Sequence, residues 1–136
     1  PLGSLGNKLK TAYDLMLVGD KIPFINENQT MKNAIKLINA KKLGFLVALN
    51  ANGLTTGVFT DGDLKRLLRK KEKIDNLIIK DHMSKKPLKV EENMLAFEIL
   101  HLMNKKKITN ICVYNKENNH KTTGVLHIHN LLNNLK

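Results

Sequence analysis

The sequence predicts an α/β (α+β) fold built from two βαββα repeats related by pseudo-two-fold symmetry, with small sheets packed against helices. Three observations support this prediction: an internal duplication, helical spacing of apolar residues in both halves, and short apolar runs separated by turns rich in Asn and Gly. The chain has 136 residues, 42% of them hydrophobic. That is enough for one compact domain or for two small, closely packed halves.

The duplication is visible as matching segments. Residues 30–44 (TMKNAIKLINAKKLG) match residues 95–109 (LAFEILHLMNKKKIT), FLVAL matches NICVY, and GVFTDGDLKRLL matches GVLHIHNLLNNL. An Asp-x-Met triplet also recurs, at residues 14–16 and 81–83. One repeat has too few strands to bury its own sheet face, so we expect the two repeats to pack together.

Each repeat is predicted to begin with a short extended segment that carries a proline, Pro23 or Pro87, as suits an edge strand. An amphipathic helix follows, then two strands around a turn and a closing helix that starts at Asp61 or Ile128. The apolar stripes of the amphipathic helices are Met31, Ala34, Ile35 and Ile38 in the first repeat, and Leu95, Ile99, Leu102 and Met103 in the second. The predicted strands are residues 45–49, 55–59, 111–114 and 122–126.

The repeat also fixes the expected boundaries. Residues 19–75 and 76–136 are predicted to be the two repeats, and residues 5–18 a junction helix. Residues 1–4 (PLGS) look like the remnant of a cleaved purification tag, although Gly3 and Ser4 could also be native. If they are a remnant, the chain is expected to be a fragment of a longer protein.

Composition narrows the function classes. No run approaches the roughly 18 apolar residues of a membrane span and no secretory leader is visible, so we expect a cytoplasmic protein without membrane contact. Cys112 is the single cysteine, which excludes an internal disulfide and fits a reducing compartment. It lies in an apolar run, where packing is favoured over nucleophilic catalysis.

The net charge of +11 raises the possibility of nucleic-acid binding. The lysines are spread along the chain, however, and no stacking aromatic residues lie among them. The pattern therefore argues against specific nucleic-acid binding and favours an anionic small ligand.

The corner after the third predicted strand has two interpretations. Residues 57–63 read GVFTDGD, and Thr60 with Asp63 has the spacing of a capping box at the start of the closing helix. Helix capping alone explains both residues. The same corner could also hold a ligand, and the second repeat, which carries His127 and Asn130 at these positions, begins a helix without that pair.

A tandem βαββα repeat with Gly-x-x-Thr-x-x-Asp at the last strand-to-helix corner resembles the CBS domain pair, or Bateman module. Three segments also resemble the C-terminal half of D-arabinose-5-phosphate isomerases of Kdo biosynthesis: LGFLVALNANGLTTGVFTDGDLKRLL, KKKITNICVY and GVLHIHNLL. LGNKLKTAYDLM is similar to that family's junction between the isomerase domain and the CBS pair. Two positions depart from the family pattern: Asn130 stands where the family usually has Asp, and Lys65 replaces Arg.

The resemblance implies a regulatory module for lipopolysaccharide or capsule synthesis that lacks its catalytic domain, so no catalytic residue is expected here. It implies no cofactor, and a nucleotide or nucleotide-sugar ligand (CMP-Kdo, AMP or ATP) in the cleft between the repeats. The expected protein partners are the chain's own N-terminal isomerase domain and a second copy in a homodimer. Two alternatives remain open: a ligand-free dimerisation scaffold, and a stand-alone adenylate-sensing CBS protein.

The resemblance also implies a set of ligand-binding positions. Asp63 would accept two hydrogen bonds from ribose hydroxyls, Thr60 and nearby N–H groups would meet phosphate, and Arg66 could reach a phosphate. The full set is Gly44, Phe45, Gly57, Thr60, Asp63, Arg66, Thr109, Asn110, His127, His129 and Asn130. His127 and His129 are expected to alternate along an extended segment and point to opposite sides. The spacing of the histidines and Cys112 matches no metal-binding frame, so no metal site is expected.

Overall fold

In a computed structural model, which describes residues 9–135, the chain divides into two units of the same topology. The first-repeat unit is residues 23–87, and the second-repeat unit is residues 9–22 together with residues 88–135. The suspected tag remnant, residues 1–4, and the start of the predicted junction helix lie outside the described residues.

Helices and strands follow the predicted order in both repeats. In chain order they are α1 (Ala12–Leu15), β1 (Phe24–Asn26), α2 (Met31–Lys41), β2 (Phe45–Leu49), β3 (Thr55–Thr60), α3 (Asp61–Lys70), β4 (Lys89–Glu91), α4 (Ala96–Lys106), β5 (Asn110–Tyr114), β6 (Gly124–His127) and α5 (Ile128–Asn134). Short 3-10 turns lie at Gly19–Lys21 and Ile79–Asp81. The predicted βαββα pattern is therefore confirmed, with closing helices that start at Asp61 and Ile128 as expected.

Each unit contains a three-stranded sheet with its amphipathic-helix partner. In the first, β2 is the central strand, parallel to β1 and antiparallel to β3; in the second, β5 is central in the same way. The two proline-bearing segments precede the edge strands β1 and β4, as predicted. Strand β6 begins at Gly124, two residues later than predicted.

The amphipathic helices bury one face and end in the same way. Helix α2 starts at an N-cap, Thr30, whose hydroxyl accepts a hydrogen bond from the Asn33 N–H, and both α2 and α4 end at a left-handed lysine, Lys42 and Lys107. Leu95 is the N-cap of α4 and lies outside its core stripe. The helix residues fully in the cores are Met31, Ala34 and Ile38 on α2, and Ala96, Ile99 and Met103 on α4.

The Asp-x-Met segments complete the units in a way the sequence did not predict. We call residues 9–18 linker 1 and residues 76–85 linker 2. Linker 2 packs on the first repeat, and linker 1 packs on the second, where Ala12 is fully buried in the core. In packing, residues 9–22 thus group with the second repeat, although residues 5–18 and 19–75 were predicted as a junction and the first repeat.

The two linkers make equivalent backbone hydrogen bonds. In linker 1 the N–H groups of Ala12 and Tyr13 donate to the carbonyls of Met94 and Glu92; in linker 2 those of Ile79 and Lys80 donate to the carbonyls of Gln29 and Glu27. Each linker also forms a two-bond antiparallel bridge to the last strand of its unit, Leu17 with Val125 and Ser84 with Val58. The linkers are therefore structural repeats as well as sequence repeats.

The elements of the chain are short. Within residues 9–135, none of the helices combines the length and the apolar character that crossing a bilayer requires.

Candidate ligand-binding corner

The strand-to-helix corner of the first repeat is closed by Thr60 and Asp63. The Thr60 hydroxyl accepts a hydrogen bond from the Asp63 N–H at 3.1 Å, and the Asp63 carboxylate accepts one from the Thr60 N–H at 3.0 Å. This reciprocal pair is a capping box at the start of α3. The local interpretation of the sequence, helix capping, is therefore confirmed.

The capping box leaves part of the Asp63 carboxylate available. Oδ2 accepts from the Thr60 N–H, while Oδ1 accepts from Arg66 Nη2 at 2.7 Å. The Asp63 side chain is 19% exposed and that of Arg66 is 62% exposed. Because a carboxylate offers about four acceptor sites, roughly two remain for donors outside the chain. Arg66, which we predicted could reach a phosphate, pairs with this carboxylate, and its approach to a phosphate stays a prediction.

Gly57 has a packing role that requires no ligand. A Cβ atom at this position would lie 2.5 Å from the Ser84 carbonyl oxygen and 2.8 Å from Met83 Sδ, so linker 2 passes directly over the glycine. Gly124 is covered in the same way by Met16 of linker 1. The predicted approach of a ligand to Gly57 stays a prediction, since linker packing already explains this glycine.

The helix-to-strand connections lie beside the corners in both repeats. The Gly44 carbonyl accepts from the Asp61 N–H at 2.9 Å, and the Thr109 carbonyl accepts from the Ile128 N–H at 2.8 Å. Phe45 pairs with Thr60 across the sheet, and its side chain is buried in the protein. Only the backbone of Phe45 could therefore face a ligand. The fold brings Gly44 and Phe45 next to Thr60, as the predicted site requires.

The second repeat assembles its corner from different side chains. Asn110 pairs with His127 across the sheet, and its amide donates to the Thr109 hydroxyl at 3.4 Å. His127 is the N-cap of α5, where its Nδ1 accepts a hydrogen bond from the His129 N–H at 3.1 Å. The predicted residues of this repeat are thus neighbours as well.

The expectation that His127 and His129 point to opposite sides is wrong. Helix α5 begins between them, at Ile128, so the period-two geometry of a strand does not extend to His129. Their rings stack instead, with centroids 4.9 Å apart and an interplanar angle of 25°. Partial burial, together with the charge that His129 can carry, lowers the pKa of His127.

The side chain of Asn130 is hydrogen-bonded to linker 1. Its Nδ2 donates to the Leu15 carbonyl at 2.9 Å, and its carbonyl and side-chain oxygens accept from Asn134 Nδ2. Asn130 therefore ties α5 to the end of α1. Nothing in the sequence indicated this contact, because the two residues are 115 positions apart.

Cys112 packs as a small hydrophobic residue, as predicted. It is buried in β5, and burial raises the pKa of its thiol to about 12. The thiol is thus protonated and shielded at neutral pH. Among residues 9–135, no three His, Cys, Asp or Glu side chains gather where they could hold a metal ion.

A groove that the sequence reasoning missed runs along the outer face of α4. Its volume is about 630 Å³. Among residues 9–135, those that line it are Met94, Phe97, Glu98, Leu100, His101, Leu102, Asn104 and Lys105. Phe97 is the one available signal in the sequence, since an aromatic residue there lies off the core stripe and remains exposed.

The profile of the CBS domain matches residues 12–70 and 79–136. The chain belongs to the CBS domain family. Each matched stretch begins within a linker and continues through the repeat that follows it in sequence, whereas in packing each linker groups with the other repeat.

Relatives of this chain include arabinose 5-phosphate isomerases, and the chain spans less than half of their length. The chain is 35% identical over 133 residues to the arabinose 5-phosphate isomerase KdsD of Escherichia coli K12, covering 97% of this chain but 40% of that protein. CBSX2 in complex with AMP has the same fold, with a TM-score of 0.77 at 22% identity over 91% of this chain and 94% of that one. The CBS pair of MJ0100, in complex with 5′-methylthioadenosine and S-adenosyl-L-methionine, has a TM-score of 0.80 at 15% identity over 92% and 94%.

Proposed function

We propose that this CBS pair is the regulatory module of an arabinose-5-phosphate isomerase and binds a nucleotide or nucleotide sugar at the first-repeat corner. The observation that carries the proposal is the Asp63 carboxylate, which is held in place by Thr60 and Arg66 yet keeps about two acceptor sites. Two acceptors on one fixed carboxylate suit the neighbouring hydroxyls of a ribose. The N-terminus of the ten-residue helix α3 lies beside it and favours an anionic group.

CMP-Kdo is the ligand we favour, with AMP and ATP as the other candidates. As the activated end product of Kdo synthesis, CMP-Kdo is a chemically sensible feedback signal, and it offers a ribose diol together with negative charge. A chain of net charge +11 suits such an anion. The ligands of the two similar folds, AMP in one and methylthioadenosine with S-adenosylmethionine in the other, also carry a ribose. In this proposal the parent protein is cytoplasmic and works as a homodimer or larger assembly.

The parent isomerase activity belongs to the same proposal. It is supported by the 35% identity to KdsD over nearly the whole of this chain. Since the chain spans 40% of that protein, the catalytic domain would lie in the remainder. Binding at the corner would then regulate chemistry that occurs elsewhere in the parent protein.

Calorimetric titration with CMP-Kdo, AMP and ATP tests the binding step. We expect one of them to bind and Asp63→Asn to weaken it about 10- to 100-fold, because a hydrogen bond to a charged group contributes about 1.5–3 kcal/mol. Asp14→Asn is the matched control. Asp14 forms the same capping box with Thr11 in linker 1, at 2.9 Å from the Thr11 N–H, but has no proposed ligand.

Two results would count against the proposal. The absence of heat with all three ligands at millimolar concentration would exclude the sensor. If this chain and its Asp63→Asn variant bound a ligand with equal affinity, the ligand would bind away from this corner.

A dimerisation scaffold is the second candidate, and the α4 groove favours it. The groove is open, largely apolar and lined in part by the exposed Phe97, which are features of surfaces that a partner covers. The corresponding position on α2 is Lys32, so the apolar surface is particular to the second repeat. A scaffold would give no heat in the titration above and would leave Asp63 with its capping role alone.

A further inference from the structure

Linker 1 exposes three large apolar side chains. Leu9 is 63% exposed, Tyr13 is 64% exposed and Val18 is 51% exposed, within a segment of ten residues. Scattered apolar residues are common on protein surfaces, so their exposure alone carries no conclusion. Linker 2, the duplicate of linker 1 in the same chain, provides a comparison that supports a conclusion.

Linker 2 has polar residues at all three equivalent positions. Counting from the shared Asp-x-Met triplet, Leu9 corresponds to Asn76, Tyr13 to Lys80 and Val18 to Lys85, and all three polar residues are exposed. The equivalence is structural, since the N–H groups of Tyr13 and Lys80 donate to Glu92 and Glu27, which are themselves equivalent. The two linkers thus present the same backbone with opposite surface chemistry.

The fold does not require apolar side chains at these positions. Linker 2 completes its unit with polar ones, while the inward-facing residues of both linkers, such as Ala12 and Ile79, are fully buried. Exposed Leu, Tyr and Val side chains leave apolar area in water that burial against a partner would remove. Their presence in linker 1 alone indicates that something covers linker 1.

We propose that Leu9, Tyr13 and Val18 dock against the part of the parent protein that lies outside this chain. The inference rests on the proposed function, in which that part is the isomerase domain. Two observations favour this occupant: the chain spans 40% of KdsD, so more than half of such a protein is missing here, and linker 1 is the segment that resembles the family's junction. The surface is neutral and apolar, which suits a folded protein domain rather than an anionic surface.

This docking gives the second-repeat unit a direct contact with the isomerase domain. Linker 1 bridges to β6 through Leu17 and Val125, and Asn130 of α5 holds the Leu15 carbonyl. A domain bound to Leu9, Tyr13 and Val18 would therefore be connected to the corner of the second repeat through linker 1.

Hydroxyl-radical footprinting of the full parent protein and of this chain tests the docking. Tyr13 is a reactive, well-exposed probe in this chain, and we expect its oxidation to be several-fold slower in the full protein. Leu68, an exposed leucine on α3, is the internal control and should react equally in both.

A graft from linker 2 tests the same surface by mutation. The triple variant Leu9→Asn, Tyr13→Lys and Val18→Lys carries the residues that the duplicate already tolerates, so the melting temperature of this chain should not change. In the full protein the graft should speed limited proteolysis near the junction several-fold, while Leu68→Asn should not.

Equal oxidation of Tyr13 in the two proteins would overturn the proposal. Protection of Tyr13 in this chain that rises with its concentration would overturn it as well, because the surface would then be covered by a second copy. Neither measurement involves a nucleotide. Failure of the titrations with protection of Tyr13 would refute the sensor only, and the reverse result would refute the docking only.

Discussion

The two strand-to-helix corners each begin a closing helix, but they do so with different side chains. In the first repeat, Thr60 and Asp63 cap α3 reciprocally and Arg66 neutralises the carboxylate. In the second, His127 caps α5 through a ring nitrogen, and Asn130 turns its amide to linker 1. Both helices form, so starting the helix does not require the Thr-x-x-Asp pair.

The difference separates what the fold needs from what it leaves free. Both repeats retain the glycine beneath the linker and the carbonyl that receives the first N–H of the closing helix. Other side chains of the corner differ, above all Thr60 and Asp63, which correspond to His127 and Asn130. The Asp63 carboxylate keeps spare acceptor sites, whereas the Asn130 amide is already hydrogen-bonded to linker 1. We therefore predict that the first corner binds ligand and that the second anchors linker 1.

The shared glycine should give the largest effect on stability. In Gly57→Ala the new methyl would meet the Ser84 carbonyl, a backbone atom that itself accepts from the Val58 N–H, so relief requires moving linker 2. We expect the free energy of unfolding to fall by about 3 kcal/mol, the upper part of the usual range for overpacking. Urea denaturation measures it.

Gly62→Ala is the control for Gly57→Ala. Gly62 lies in α3, where a Cβ would make ordinary contacts with the Arg66 guanidinium at 3.4 Å and the Thr60 hydroxyl at 3.6 Å, and alanine favours the helix. This variant should be neutral or slightly stabilising. If Gly57→Ala behaved in the same way, linker 2 would not be held over the glycine as described.

Exchanging the amide of the second corner should give an intermediate effect. Asn130→Asp replaces the donor that holds the Leu15 carbonyl by an acceptor, leaving two oxygen atoms face to face. We expect a loss of about 1–2 kcal/mol in the free energy of unfolding, again by urea denaturation. Asn133→Asp, an exposed neighbour on α5, adds the same charge and should change stability little. Equal losses in both variants would show that charge, rather than the link to α1, is responsible.

The histidine cap should give the smallest effect, visible as a pH dependence. Because the pKa of His127 is lowered in the folded protein, the unfolded chain takes up the proton first as pH falls. The stability that His127 contributes is thus complete above its ordinary pKa near 6.5 and is lost as pH falls below that value. In His127→Asn, which keeps an N-cap acceptor, the melting temperature should fall less between pH 7.5 and 5.5. An unchanged pH profile would contradict the lowered pKa of His127.

Local patterns in the sequence predicted most of the fold. The duplication, the helical stripes and the Asn-rich turns are short-range signals, and they placed β2 and the start of both closing helices correctly. The capping box of Thr60 and Asp63 could also be predicted from the sequence, because its two residues are three positions apart. The CBS resemblance agreed with these signals and is confirmed by the family match.

Contacts between distant segments were not predictable in the same way. The packing of linker 1 on the second repeat depends on Ala12 filling its core and on Asn130 reaching Leu15, and neither pairing leaves a periodic signal. The stacking of His127 and His129 was missed because it depends on where α5 begins. The groove of α4 was missed because a lone exposed Phe97 has no pattern around it.

The order in which the two units can fold during synthesis depends on which repeat each linker packs against. The first-repeat unit is one continuous stretch, residues 23–87, and can close as soon as it leaves the ribosome. Linker 1 emerges earlier but has to wait until residues 88–135 are made before Ala12 can be buried. At roughly 5–20 residues per second, that wait lasts for roughly 6 to 25 seconds. During synthesis, the apolar residues of linker 1 therefore stay unburied by their own unit for longer than those of linker 2.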